Sequence, residues 1–127
     1  METYCLFCER NNLEKHTILA ENDFCYARQD NFAVSPGHLE VVPKSHVVSF
    51  FELTNEELGQ MYSLLKEAKA IIQDKYNPDG YNIGLNEGEM AGRSIHHLHI
   101  HLIPRYEGDV ENPKGGIRNV IPGKGNY

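Results

Sequence analysis

Four of the seven histidines of this 127-residue chain lie within six positions, from His96 to His101. In the run His97-Leu98-His99-Ile100-His101-Leu102, imidazoles alternate with apolar side chains. Because side chains along a β-strand alternate between the two faces of a sheet, the run predicts a strand over residues 97–104. Three imidazoles would share one face, about 6.5 Å apart at the backbone, and the apolar side chains would pack on a core from the other. Imidazole titrates near neutral pH, so the row predicts either a metal site or an anion site with a histidine nucleophile.

Composition narrows the class of protein. A chain of this length is expected to form one domain, over residues 1–127. Twelve Lys and Arg against 18 Asp and Glu give a net charge of −6, which argues against general binding to nucleic acid or to anionic membranes. No apolar run approaches the roughly 18 residues that span a bilayer. The N-terminus has neither the basic start nor the apolar stretch of a secretory signal, and three cysteines do not pair evenly, so we expect a reducing, cytoplasmic location.

Apolar spacing predicts one long helix among several short strands. Thr54 is a favourable N-cap that forms a capping box with Glu57, and apolar residues follow at spacings of three and four. The turn sequence at 77–80 ends this helix. Short strands are predicted on either side of a turn at 21–23, at 38–43 and at 81–86, whereas the Gly- and Pro-containing residues 112–127 are mostly loop. These elements predict an α+β fold with a mainly antiparallel sheet of about five strands and the helix packed on it.

The histidine run resembles the His-φ-His-φ-His-φ-φ signature of the histidine-triad (HIT) superfamily, in which φ is apolar. The likeness covers most of the chain, since other segments match family segments in family order. Those segments are residues 30–38, Pro43-Lys44-Ser45-His46, Asn86-Glu87-Gly88 and Ala91-Gly92-Arg93-Ser94. The tail at 113–118 is similar to a bacterial-type subset of the family.

This resemblance implies a nucleotide hydrolase or transferase that acts at the α-phosphate of a nucleoside phosphate derivative. His99, the middle motif histidine, would be the nucleophile and would form a covalent nucleotidyl-imidazole intermediate. The backbone carbonyl of His97 would accept a hydrogen bond from the other nitrogen of that ring. His101 would hydrogen-bond the phosphate or the leaving-group oxygen, and His38 would line the same phosphate pocket.

Further positions follow from the same resemblance. Asp30 matches the residue that binds the ribose hydroxyls, and Asn86 and Ser94 match residues that touch the phosphate or the leaving group. Arg93 replaces a glutamine found in many HIT hydrolases. A guanidinium at this position, together with the cations of the tail, predicts a preference for a polyphosphate leaving group.

Cys5 and Cys8 form a C-x-x-C pair that alone is compatible with redox chemistry, half of a zinc site or chance. The resemblance implies a structural zinc held by Cys5, Cys8, His46 and His97, and no organic cofactor. Cys25 is left over and is expected to be a small buried apolar residue.

Two other classes of function remain open from the sequence. One is a nucleotide-binding or adaptor protein with incidental hydrolysis, which would bind nucleotides with negligible turnover. The other is a zinc metallohydrolase in which His97, His99 and His101 hold a catalytic metal, so that chelators would stop turnover at once. The resemblance also implies a homodimer with a nucleotide substrate. Dinucleoside polyphosphates, nucleoside phosphoramidates and adenylylated adducts all remain possible substrates, and hydrolysis is not distinguished from phosphorolysis.

Overall fold

A computed structural model describes residues 4–125, which contain a five-stranded antiparallel sheet and one long helix. The sheet order is β1-β2-β3-β5-β4, and every pair of neighbouring strands is antiparallel. The predicted α+β architecture is therefore confirmed. The main elements, in chain order, are β1 (Ile18–Glu21), β2 (Cys25–Gln29), β3 (Leu39–Pro43), α1 (Asn55–Tyr76), β4 (Gly80–Gly84) and β5 (Ile100–Arg105).

Helix α1 begins and ends at the signals found in the sequence. The Thr54 hydroxyl accepts a hydrogen bond from the Glu57 amide, and the Glu57 carboxylate accepts one from the Thr54 amide. At the other end Asn77 adopts a left-handed conformation, with φ of 50°, and its N–H donates to the Gln73 carbonyl. Within residues 4–125, no helix has the length and apolar character needed to cross a membrane. The helix buries one stripe of residues against β1, β2 and β3, namely Met61, Leu64, Ala68 and Ile72.

The two faces of the sheet carry separate apolar clusters. On the helix side, Leu98, Ile100 and Leu102 belong to the main core, as the alternation of the histidine run predicts. On the opposite side a smaller cluster is formed by Phe7, Tyr26 and Val42. Phe7 lies in a short 3₁₀ helix, Leu6–Glu9, that covers this second face. The leftover Cys25 is fully buried in the main core, as expected.

The predicted strand over residues 97–104 is wrong at its start, because β5 begins only at Ile100. The His97 amide donates to the Ile95 carbonyl, and the Leu98 amide donates to the Val47 carbonyl, so neither pairs across the sheet. This local departure accompanies the turn of the His97 ring toward the thiols of the N-terminal segment. The ends of the other strands differ from the predicted ones by a few residues at most. The tail, predicted as mostly loop, contains a short 3₁₀ helix, Gly116–Val120, that contacts β4.

Candidate active site

Three neighbouring strands place a charged pair and a histidine side by side at the floor of a cleft. Arg28 of β2 is the cross-strand partner of Glu40 of β3, and Glu40 is the partner of His101 of β5. Successive partners across a sheet point to the same face. The cleft above them has a volume of about 360 Å³ and also includes His99 and His38 in its lining. The candidate histidines are therefore gathered in one cavity.

His99 is held in the orientation that a nucleophile requires. Its Nδ1 lies 2.8 Å from the backbone carbonyl oxygen of His97, so Nδ1 carries the proton and donates it there. The lone pair is then on Nε2, and His99 is one of the side chains that line the cleft. Burial lowers the pKa of His99 below its ordinary value, and the nearby Arg93 guanidinium lowers it further against the opposing effect of the His97 hydrogen bond. The ring is therefore neutral near pH 7, which leaves Nε2 able to attack.

His38, His101 and Asp30 form a directed hydrogen-bond chain. The Val34 amide donates to His38 Nδ1 at 3.1 Å, so neutral His38 carries its proton on Nε2. That nitrogen lies 3.0 Å from His101 Nδ1 and 3.2 Å from a carboxylate oxygen of Asp30. Burial, followed by the neighbouring His99 and His38 rings, lowers the pKa of His101 to about 4. With Nδ1 accepting, neutral His101 presents an Nε2–H donor.

The loop before β5 closes one side of the cleft. Asn86 and Ser94 both line it, as their predicted contacts with the phosphate or the leaving group require. Arg93 points elsewhere: its Nε donates to the Asn86 carbonyl at 3.2 Å, and Nη2 lies 3.5 Å from a Glu87 carboxylate oxygen. The Arg93 side chain is only 6% exposed. This direction gives no support to the expectation that Arg93 reaches a polyphosphate.

The tail cations also lie apart from the cleft. Arg118 donates from Nε to the Gly125 carbonyl within the tail. Among residues 4–125, the side chains that line the cleft include neither Lys114 nor Arg118.

The four residues expected to hold zinc converge at one point. His97 Nδ1 lies 3.3 Å from Cys5 Sγ, 3.5 Å from Cys8 Sγ and 3.2 Å from His46 Nδ1. Cys8 Sγ lies 3.3 Å from His46 Nδ1, and the four atoms all fall within 4.8 Å of one another. Tetrahedral zinc with ordinary Zn–S and Zn–N bonds separates sulfur from nitrogen by about 3.6 Å and nitrogen from nitrogen by about 3.3 Å. The donor set and its spacing therefore fit zinc.

The surroundings of the cysteine–histidine cluster favour metal binding as well. His97 Nε2 lies 2.9 Å from the Pro43 carbonyl oxygen, to which it donates, so Nδ1 is left with a lone pair. Phe7, inside the C-x-x-C segment, places its ring centroid 5.7 Å from the His97 ring and 4.9 Å from the His99 ring. The cluster is thus joined to His99 through both His97 and Phe7.

A catalytic metal held by the three motif histidines does not fit this geometry. The His97 ring is directed at Cys5 and Cys8, whereas His99 and His101 face the cleft. Within the described residues, the groups with metal-ligand spacing do not combine all three rings. One such group contains His38. Because His38 Nδ1 accepts a hydrogen bond from the Val34 amide, its Nε2 carries the proton, and neither nitrogen of this ring is available to a metal.

The Arg28–Glu40 pair was not predicted from the sequence. Both side chains are buried, and a guanidinium nitrogen of Arg28 lies 2.5 Å from Glu40 Oε1. Arg28 also donates to His16 Nδ1, and His16 donates to the Leu6 carbonyl, which ties the pair to the N-terminal segment. One charged residue among the buried residues of each strand was the signal available in the sequence. Other cleft residues that the sequence did not single out are Asn31 and a set of apolar or small residues, namely Leu6, Phe32, Val34, Gly92 and Ile95.

Comparison with known sequences agrees with this arrangement. The family model described as HIT domain matches residues 11–108. An uncharacterized HIT-like protein of Methanocaldococcus jannaschii is 38% identical over 118 residues, covering 91% of each chain. The AP-4-A phosphorylase of Mycobacterium tuberculosis is 36% identical over 98 residues, covering 76% of this chain and 50% of that protein. The bis(5'-adenosyl)-triphosphatase of Dictyostelium discoideum is 35% identical over 101 residues, covering 75% and 68%.

Solved structures give the same answer. A HIT family protein from Bacillus anthracis superimposes with a TM-score of 0.77 at 32% identity, covering 86% of this chain and 78% of that one. A Zn-bound histidine triad family protein from Mycobacterium smegmatis superimposes with a TM-score of 0.72 at 26% identity, covering 83% and 77%. Sequence, fold and the convergent histidines thus agree, and the chain belongs to the HIT domain family.

Proposed function

We propose that this protein is a nucleotide hydrolase or nucleotidyltransferase that acts at an α-phosphate through a covalent nucleotidyl-His99 intermediate. The observation that carries the proposal is the hydrogen bond from His99 Nδ1 to the His97 carbonyl, which leaves the Nε2 lone pair for attack. The names of two relatives, an AP-4-A phosphorylase and a bis(5'-adenosyl)-triphosphatase, support a substrate of the adenosine polyphosphate type.

The first step forms the covalent intermediate. His99 Nε2 attacks the α-phosphorus, and the bond from phosphorus to the leaving group breaks. The Nε2–H of His101, whose Nδ1 accepts from His38, hydrogen-bonds the departing oxygen or nitrogen and keeps its own proton, and solvent protonates the leaving group. Asn86 and Ser94 hold the phosphate or the leaving group from the loop side of the cleft.

The second step releases the nucleotide. Water, or inorganic phosphate in a phosphorolytic reaction, attacks the same phosphorus and breaks its bond to His99 Nε2. The imidazole is thereby returned with its lone pair, and the attacking group gives up a proton to solvent. Asp30 binds the ribose hydroxyls, since carboxylate oxygens accept well from neighbouring hydroxyl groups.

We also propose that zinc is a structural component of the fold. Cys5, Cys8, His46 and His97 would hold it, and the metal would brace the N-terminal segment against the segment that leads into β5. When bound, zinc would supply no Lewis-acid chemistry to the cleft, because its four ligands are not among the residues that line the cleft. A reducing compartment, which we propose is the cytoplasm, would keep both thiols available.

A homodimer is the proposed assembly. Strand β4 lies at one edge of the sheet and so leaves backbone groups available for pairing with a second copy. Next to this edge, Ile83 and Tyr62 are exposed apolar side chains of one groove that dimerisation would cover. Light scattering coupled to size exclusion should give twice the mass of one chain, and a monomer at micromolar concentration would refute this assembly.

A substrate panel tests the proposed activity. Diadenosine tetraphosphate, adenosine 5'-phosphoramidate and an adenylylated amine should be incubated with and without inorganic phosphate, and the products separated by chromatography. We expect AMP, or ADP when phosphate is the acceptor, from at least one substrate. The His99→Asn variant should lose this turnover, whereas His96→Asn, an exposed neighbour, should retain it. Tight nucleotide binding without turnover on any substrate would instead indicate a binding protein.

A further inference from the structure

The cleft contains a carboxyl group that the proposed reaction leaves without a role. Arg28 holds one oxygen of Glu40, while the second oxygen, Oε2, lies 4.0 Å from His99 Nε2 and 3.9 Å from His101 Nδ1. The Glu40 side chain is 6% exposed and belongs to the lining of the cleft. Oε2 therefore lies beside the position that a phosphate attacked by His99 must take, and the Glu40 carboxyl also contacts that of Asp30.

Titratable and charged side chains face Glu40 from each neighbouring element. β2 contributes Arg28, the segment after β2 contributes Asp30, and His99 and His101 face it from the segment that includes β5. The two rings are neutral near pH 7, because burial lowers the pKa of each. When Glu40 is ionised, its carboxylate and that of Asp30 face a single guanidinium, that of Arg28. An anionic phosphate would meet repulsion from the carboxylate that Arg28 does not neutralise.

A single proton removes this conflict. As a carboxylic acid, Glu40 keeps Oε1 as the acceptor for Arg28 and gains an O–H donor on Oε2. Burial, followed by the Asp30 carboxylate, raises the pKa of Glu40 to about 7, so protonation at this position costs little at neutral pH.

We propose that Glu40 is a further phosphate-binding residue, which takes up a proton from solvent when a nucleotide binds and donates it in a hydrogen bond to an α-phosphoryl oxygen. The O–H bond forms on Oε2, and the proton returns to solvent when the product leaves. The inference rests on the proposed function, because it requires an anionic phosphate next to His99. It predicts that nucleotide affinity depends on pH through a residue outside the histidine motif.

Calorimetric titration with two probes tests this linkage. The first probe is the methyl ester of adenosine 5'-phosphate, whose single negative charge is constant between pH 6 and 9, and the second is uncharged adenosine. Titrations at pH 8 in buffers of different ionisation enthalpy give the number of protons taken up. We expect about one proton for the charged probe, none for adenosine, and an affinity for the charged probe that falls about tenfold per pH unit above pH 7.

Two variants assign the proton. Glu40→Gln keeps an acceptor for Arg28 and an N–H donor for the phosphate, so its affinity for the charged probe should not change with pH and no proton should be taken up. Glu67→Gln, a matched change at an exposed position of α1, should behave as wild type. Proton uptake that persists in Glu40→Gln would mean that a histidine receives the proton, and would overturn the inference.

Wild-type protein gives an independent answer if the Gln variant does not fold. Carbon-13 spectra of glutamate-labelled protein should contain one carboxyl group that titrates near pH 7 and stays protonated to higher pH when the charged probe is bound. An unchanged titration in the complex would overturn the inference and leave the proposed function intact. Failure of both probes to bind would overturn both.

Discussion

Loss of one of the proposed zinc ligands should destabilise the fold and loosen the packing of Phe7 against His99. Cys8 contacts both histidines of the cluster, with its Sγ 3.3 Å from His46 Nδ1 and 3.5 Å from His97 Nδ1. Replacing it by serine removes a thiolate from a site whose ligands come from three separate segments of the chain. The substitution therefore weakens the attachment of the N-terminal 3₁₀ helix to the segments that carry His46 and His97.

The size of the effect follows from linkage between metal binding and folding. Zinc held at 1,000 times its Kd stabilises the folded state by about 4.1 kcal/mol. For a domain of this size each kcal/mol moves Tm by roughly 4 °C, so the stripped protein should melt about 16 °C below the zinc-loaded one. Since Phe7 lies in the C-x-x-C segment, with its ring 4.9 Å from that of His99, loss of zinc should also make His99 more reactive toward diethylpyrocarbonate.

Differential scanning calorimetry of loaded and chelator-stripped protein, with metal analysis, measures both quantities. Wild type should contain close to one zinc per chain, and its Tm should be well above that of the chelator-stripped wild type. Cys8→Ser should have a Tm near that of the stripped wild type, whether or not it has been treated with chelator. The matched control is Cys25→Ser, a buried cysteine outside the cluster, which should keep the zinc-dependent difference even if both transitions shift. Wild-type protein grown with zinc but containing none, or a Tm unaffected by stripping, would refute the reasoning.

Two further predictions concern Arg93 and pH. Arg93→Gln should reduce kcat/KM for diadenosine tetraphosphate and for adenosine phosphoramidate by similar factors, because Arg93 contacts Asn86 and Glu87; a loss confined to the tetraphosphate would show that the guanidinium reaches that substrate. The lowered pKa of His101 contributes stability that is present above pH 6.5 and is lost as pH falls toward 4. The raised pKa of Glu40 acts in the opposite direction: its contribution is present below pH 4.5 and is lost as pH rises toward 7. Urea unfolding should therefore show a steeper gain in stability between pH 5 and 7 in Glu40→Gln than in wild type, and equal slopes would contradict these opposing contributions.

Short sequence patterns predicted an element correctly where the interactions that form it lie within the pattern itself. The capping box at Thr54 and Glu57 begins the helix in the structure because both reciprocal hydrogen bonds form within four residues. The alternation of the histidine run correctly assigned its apolar side chains to the core. It failed at residues 97–99, where the backbone bonds to Ile95 and Val47 outweigh a continued strand. Which carbonyls accept these hydrogen bonds depends on the tertiary structure, and the alternation of residues in the sequence carries no information about that.

The candidate site was predictable to the extent that its residues carry a family motif. The pairing of Arg28 with Glu40, and of Glu40 with His101, depends on the registers of three strands, which no single segment of sequence determines. The direction of Arg93 likewise depends on where the Glu87 carboxylate lies, so the sequence suggested a phosphate ligand and the fold supplied an internal ion pair.

The nucleotidyl-imidazole on His99 is the central claim, and its direct detection is the decisive measurement. Adenosine 5'-phosphoramidate should be mixed with enzyme, quenched within the first turnover at alkaline pH, and analysed by intact mass and peptide mapping. We predict a mass increase of one adenylyl group on His99, formed before steady state and retained in the His96→Asn control. His99→Asn should form no adduct while binding AMP within about tenfold of wild type, or roughly 1.4 kcal/mol. Turnover without an adduct, an adduct on another residue, or His99→Asn activity above about a tenth of wild type, roughly 1.4 kcal/mol of transition-state stabilisation, would contradict the account.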